Sequence, residues 1–162
     1  TVLRGVTPYQ APFTLQTFAV FFVTALLGLK CGTLSVIVYL LLGAVGLPVF
    51  AGFKGGLGSL MGVTGGYLLG FVFSALAVGL ITKFFGRSFP VLILSMVLGL
   101  ALCYAFGSAW FQLLYIQTKG AITTGAVLSA CVIPYLIPDA IKIALAAVLV
   151  RRLQGHVSLA QA

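Results

Sequence analysis

The sequence predicts an all-α fold, a polytopic membrane helix bundle, and three observations carry that prediction. Of 162 residues, 62% are hydrophobic and only 6% charged, whereas soluble domains are about half apolar and a quarter charged. The apolar residues gather into five stretches close to the roughly 20 residues that a spanning helix needs. Every cation except Lys142 lies between or beyond those stretches. Residues 1–162 therefore read as one integral membrane domain.

The first stretch runs from Phe13 to Leu29, with Thr14, Gln16 and Thr17 at its start, and the second from Gly32 to Phe50. A glycine-rich segment, Ala51 to Thr64, follows. The third stretch covers Gly65 to Ile81 and the fourth Pro90 to Ile116, whose last turns hold Trp110 and Tyr115 and suit the membrane interface. The fifth, Ala121 to Val150, is too long for one perpendicular span and contains Pro134 and Pro138. A kink or local unwinding is expected there, because proline removes a helical hydrogen bond and clashes with the preceding turn.

Alternating the loops puts Lys30, Lys83, Arg87, Arg151 and Arg152 on one face of the membrane and Arg4, Lys54 and Lys119 on the other. Positive charge favours the cytoplasm, so the first face is expected inside. The protein then belongs in the plasma membrane as a multi-pass chain with its C-terminus cytoplasmic and its glycine-rich segment outside.

The charge inventory is also restrictive. Nine Lys and Arg face a single acid, Asp139, and a single histidine, His156, for a formal net charge of +8. Paired-carboxylate hydrolysis and metal catalysis need more ligands or acids than this. His156 sits in a polar tail near Ser158 and reads as solvated, since a triad also requires an orienting acid and an oxyanion hole. An enzyme is not expected. Cys31, Cys103 and Cys131 are isolated in or beside apolar runs and read as small buried hydrophobes. The cations form no cluster interleaved with aromatics, which argues against nucleic acid. No GxxxxGK[ST] motif occurs, so the chain alone should not hydrolyse ATP.

Three features can carry a function. Gly62, Gly66 and Gly70 suit helix packing, where small residues let membrane helices approach. The run from Gly52 to Gly58 is too glycine-dense for a stable helix, and irregular backbone near a membrane is tolerated where it lines a cavity. Asp139 and Lys142 stand three residues apart on one helical face inside an apolar stretch. Each costs about 2.5 to 3.5 kcal/mol at a helix centre, so the pair reads either as a polar ligand site or as a salt bridge that offsets its own cost. Tyr104, Trp110 and Tyr135 fit a cavity or an interfacial belt, and Gln16 a ligand or a helix-helix hydrogen bond.

Four pieces in order resemble one family. GLPVFAGxxGGLGxLxGxTGGYLLGF from Gly46 to Phe71, PFTLQT from Pro12 to Thr17, YxxGxxW from Tyr104 to Trp110, and the DxxK of Asp139 and Lys142 are similar to the BioY family, biotin-binding S components of energy-coupling factor transporters. The resemblance implies a bundle of six helices, of which five hydrophobic helices are visible and the first has no counterpart before Thr1. It implies capture of biotin from outside, with a transmembrane coupling subunit and two cytoplasmic ATPase subunits as partners and no cofactor. Carried over by position, it implies ligand contacts from Asp139, Lys142, Lys54, Phe53, Gly55, Tyr67, Tyr104, Trp110, Gln16 and Tyr135. Val63 replaces a usual proline, and Ile137-Pro138-Asp139 replaces a usual Pro-Gly-Asp.

Biotin suits those residue types: a ureido group with two N–H donors and one carbonyl, a sulfur-containing ring, and an apolar tail ending in a carboxylate. A carboxylate matches the donors, Lys142 the carbonyl, aromatics the ring, and Lys54 the tail anion, each contact strengthened by exclusion of water. The alternatives are an S component for another vitamin and a non-transporting subunit in which Asp139 and Lys142 are structural.

Overall fold

The structure, a computed structural model, describes residues 14–157. It contains helices α1 (Gln16–Val45), α2 (Leu57–Met61), α3 (Gly65–Phe85), α4 (Phe89–Lys119), α5 (Thr124–Cys131) and α6 (Ile133–Val157), with no strand among the described residues. Four of these, α1, α3, α4 and α6, are long and apolar enough to cross a membrane. Arg4 and Ser158 lie outside the described residues.

The first two predicted spans form α1, which doubles back at Gly28, where φ of 85° and ψ of −178° interrupt the helix. Contacts across the reversal are nearly symmetric about that residue: Gln16 donates a hydrogen bond to Tyr39, and Gly32 lies against the backbone of Thr24. Glycine adopts such a φ without steric cost. The predicted spans leave Lys30 and Cys31 between them; the bend falls earlier, at Gly28. The second arm stops at Val45, short of the predicted Phe50, where Gly46 adopts a left-handed cap with φ of 116° and Pro48 follows.

The fifth predicted stretch is two helices, the short α5 and the long α6, broken at Val132. Pro134 explains the break: it has no N–H for the carbonyl of Ala130, and in the first turn of α6 none is needed. Pro138 does not interrupt α6, so the expected kink or unwinding is realised at Pro134 alone. Lying in the second turn, Pro138 removes the bond to the Pro134 carbonyl, at a helix start where the ladder is just beginning.

α3 is the central element, packed against both α1 and α4, and glycines set the approach. Gly79 meets the backbone of Leu29, Gly70 that of Cys103, and Gly66 the side chain of Trp110. Ser74 Oγ donates to the Gly99 carbonyl at 2.7 Å, tying α3 to α4. Gly62, expected to pack helices, instead ends α2 in extended backbone. Phe21, Val78, Leu92, Met96 and Val150 fill the interior, while Leu34, Leu41, Leu94, Leu102 and Leu145 stay exposed on the outside. An apolar outer face of this kind suits hydrocarbon. Cys103 and Cys131 are buried as expected, but Cys31 is exposed on that outer face.

The antiparallel order separates the charges. Arg87 Nη1 donates to the Leu26 carbonyl at 3.3 Å, so the α3–α4 turn sits beside the Gly28 bend with Lys30 and Lys83. Lys54 belongs to the opposite end, in the connection between α1 and α2.

Candidate functional site

The end of the bundle away from the Gly28 bend encloses a cavity of about 450 Å³, inside the range of roughly 300 to 1,000 Å³ common for small-molecule sites. Thr14, just before α1, and Gln16 and Thr17 of its first turn contribute one side. The connection from Gly46 to Gly56 contributes Phe50, Ala51 and Lys54 as a cap, and α2 adds Gly58 and Ser59. α3 supplies Tyr67, Leu68 and Phe71; α4 supplies Cys103 and Tyr104. The link between α2 and α3 adds Gly62, Val63 and Thr64, and Cys131 of α5 with Tyr135, Asp139 and Lys142 of α6 completes the lining.

One polar cluster stands in the wall. Asp139 and Lys142, 3% and 6% exposed, form an ion pair with Nζ 2.8 Å from Oδ1. Thr17 Oγ1 donates to the same Oδ1 at 3.3 Å and accepts from Lys142 Nζ at 3.3 Å. Tyr104 donates its hydroxyl to Oδ2. Two charges buried this deeply are tolerated because they neutralise each other and are hydrogen-bonded. A carboxylate has about four acceptor directions, and Asp139 uses three of them on these side chains. The cluster can therefore present an acceptor to a donor in the cavity while staying neutral overall.

In the first turn of α3, the Tyr67 hydroxyl lies 3.3 Å from Ser108 Oγ. Gly107 makes room for the Tyr67 ring, since a methyl group there would strike it. Val127 and Cys131 of α5 pack with Phe111 in a small core of their own, closing the cavity on that side.

Of the ten candidate ligand contacts, Asp139, Lys142, Lys54, Tyr67, Tyr104, Gln16 and Tyr135 line this cavity. Phe53, Gly55 and Trp110 do not. Phe53 sits at the tip of the cap, 89% exposed and with φ of 55°, so its ring points away from the helices. Gly55 is spent on the backbone of Gly46 and Leu47, whose carbonyls leave no room for a side chain. Trp110 stands behind the lining: its Nε1 donates to the Gly62 carbonyl at 3.1 Å, and its ring stacks on Phe106 at 6.4 Å between centroids. It holds the glycine-rich segment onto α4 instead of facing the cavity.

Thr17 was not among the ten. It lies within the PFTLQT piece, but its partners are more than 120 residues away in sequence, and a threonine starting an apolar helix has no distinguishing local pattern. Cys103 and Cys131 were legible as buried, yet nothing in their surroundings marked them as cavity wall.

The BioY family model matches residues 3–158. The chain belongs to the BioY family. Among its relatives, the biotin transporter BioY of Thermotoga maritima is 44% identical over 143 residues, covering 88% of this chain and 80% of that protein. A probable biotin transporter BioY of Pyrococcus horikoshii is 38% identical over 145 residues, covering 90% and 82%. A crystal structure of the S-component for biotin from an ECF-type ABC transporter superposes with a TM-score of 0.79 at 29% identity, covering 90% of this chain and 76% of that one. This BioY chain is thus a membrane protein of a transporter family. The relatives are named as transporters, not enzymes.

The contact between Gly66 and Trp110 gives a direct test of the packing in this BioY protein. A methyl group on Gly66 would overlap Trp110 Cβ and Cγ, and overpacking of this kind costs about 1 to 3 kcal/mol. Gly66→Ala is expected to lower thermal stability and shift the emission of Trp110, the only tryptophan in the chain. Unchanged emission and melting would show that the indole is not held there.

Proposed function

We propose that this chain is the biotin-binding S component of an ECF-type transporter, capturing biotin outside the cell. One observation carries the reading: the sole acidic side chain of the sequence is buried, charge-balanced and set in the wall of a ligand-sized cavity beneath a glycine-rich cap. Its relatives named as biotin transporters and the solved biotin S-component support the ligand. Asp139 accepts one ureido N–H with its remaining acceptor direction, and Lys142 and Tyr104 hold its charge and orientation. Tyr67 and Tyr135 border the bicyclic ring, Gln16 adds a polar edge, and Lys54 at the mouth meets the tail carboxylate. The test is a titration of biotin into the purified protein, which should saturate at one biotin per chain. Absence of binding in folded protein would refute the assignment.

A transmembrane coupling subunit and two cytoplasmic ATPase subunits complete the transporter in this proposal. The absence of a GxxxxGK[ST] motif from the sequence supports the need for separate ATPases. The cation asymmetry supports a cytoplasmic C-terminus, with Lys30, Lys83, Arg87, Arg151 and Arg152 inside. In a Cys31→Ser background, a cysteine replacing Lys54 is expected to react with an impermeant thiol reagent added to intact cells. One replacing Arg87 is expected to react only after permeabilisation; the opposite pattern would invert the topology.

A further inference from the structure

We propose that Tyr39 is a positioning residue that latches the capping connection over the cavity, so that its hydroxyl governs how long biotin stays bound; this rests on the proposed biotin-binding function. Tyr39 lies on the second arm of α1, half-buried and outside the cavity lining. Its hydroxyl accepts a hydrogen bond from Gln16 Nε2 and donates to the Val49 carbonyl at 3.1 Å. One O–H thus joins three segments: the first arm, the second arm and the cap. Its ring meets the Phe50 ring edge-on at 5.7 Å, and Phe50 is both a cavity-lining residue and the filler of a notch over Gly43.

The cap itself is a small, closed unit. Phe50 N donates to the Lys54 carbonyl at 3.0 Å, folding residues 50–54 into a tight turn. Gly56 N donates to the Gly43 carbonyl at 2.6 Å and ties its far end to α1. Among the described residues, the Tyr39 hydroxyl makes the only side-chain hydrogen bond that holds the stretch from Gly46 to Val49 to the helices. Because the cap carries Phe50, Ala51 and Lys54 over the cavity, a ligand leaving toward Lys54 must displace what Tyr39 holds.

The proton arithmetic makes the latch directional. A tyrosine hydroxyl has one proton to donate. Gln16 presents an N–H to it, which leaves that proton for the Val49 carbonyl. An acceptor in place of the Gln16 amide would compete for the proton and release the cap.

Tyr39→Phe keeps the ring against Phe50 and removes both hydrogen bonds. In the full chain in lipid nanodiscs, biotin dissociation is expected to accelerate about tenfold, the effect of losing one to two neutral hydrogen bonds. Association should be unchanged or faster, a split that simple damage to the lining would not give. Independently of ligand, amide exchange at Phe50 and Gly56 should quicken by about the same factor while Gly65–Phe85 stays at its wild-type rate. Gln16→Glu, read only by exchange in ligand-free protein, should loosen the same two amides, and it serves if Tyr39→Phe does not fold. Biotin dissociation within twofold of wild type, or unchanged exchange at Phe50 and Gly56 in either folded variant, would overturn the latch. Faster exchange in a protein that binds no biotin would leave the latch standing as a property of the fold and refute the ligand assignment instead.

Discussion

Asp139→Asn is expected to reduce biotin affinity by two orders of magnitude or more. The substitution keeps the shape but exchanges one acceptor oxygen for an N–H. In the wild-type cluster, Thr17 and Lys142 converge on Oδ1 and Tyr104 on Oδ2, so the amide can keep its oxygen toward Lys142 only by turning its NH₂ toward the Tyr104 side, where the ligand donor then meets an N–H instead of an acceptor. A hydrogen bond to a charged group contributes about 1.5 to 3 kcal/mol, and an unpaired buried donor costs about 1 to 3 more. Each 1.4 kcal/mol is tenfold in affinity. Titration calorimetry on folded Asp139→Asn decides the matter: affinity within a few-fold of wild type would remove Asp139 from the ligand site.

Lys142→Met is expected to have the largest effect on stability. It leaves the Asp139 carboxylate buried with Thr17 and Tyr104 but without its cation, and removing one partner of a buried pair typically costs about 3 to 5 kcal/mol. Thermal unfolding in detergent should register this as a marked fall. Combining Lys142→Met with Asp139→Asn removes both charges and should recover much of the loss, because the substitutions share one interaction and are not additive. Biotin binding should not return with it. A double variant that regains both stability and affinity would make the pair structural only. A Lys142→Met protein as stable as wild type would mean that Asp139 needs no counter-ion.

The positions of these groups explain why the sequence was informative about some of them. A carboxylate and an ammonium three residues apart in an otherwise apolar stretch stand out in any reading, because insertion cost makes such residues rare. Their pairing follows from helix geometry alone, as residues i and i+3 share a face. Glycines too dense for a helix marked the cap for the same kind of local reason: the backbone is irregular up to Gly56, although Gly58, the last glycine of the dense run, falls in the short helix α2. Trp110 was different. Its place in the YxxGxxW piece suggested the cavity, and only packing revealed that its indole spends its N–H on the Gly62 carbonyl, behind the lining.

What the sequence by itself determined was therefore what depends on local composition and period. It determined a membrane-embedded helical bundle, an acid and a base on one helical face inside an apolar stretch, an irregular glycine-rich connection and the likeness to the BioY family carried by those motifs. Tertiary structure decided what depends on residues distant along the chain. The reversal of α1 at Gly28 brings Gln16 to Tyr39 and Tyr39 to the Val49 carbonyl. The packing of α1 and α4 on α6 brings Thr17 and Tyr104 onto Asp139. Threonine, glutamine and tyrosine are tolerated at many places in membrane helices, so their identity carries little information about partners. In a hydrocarbon surrounding, a polar group takes whichever partner the fold delivers, and the fold is fixed by how closely glycine lets the helices approach.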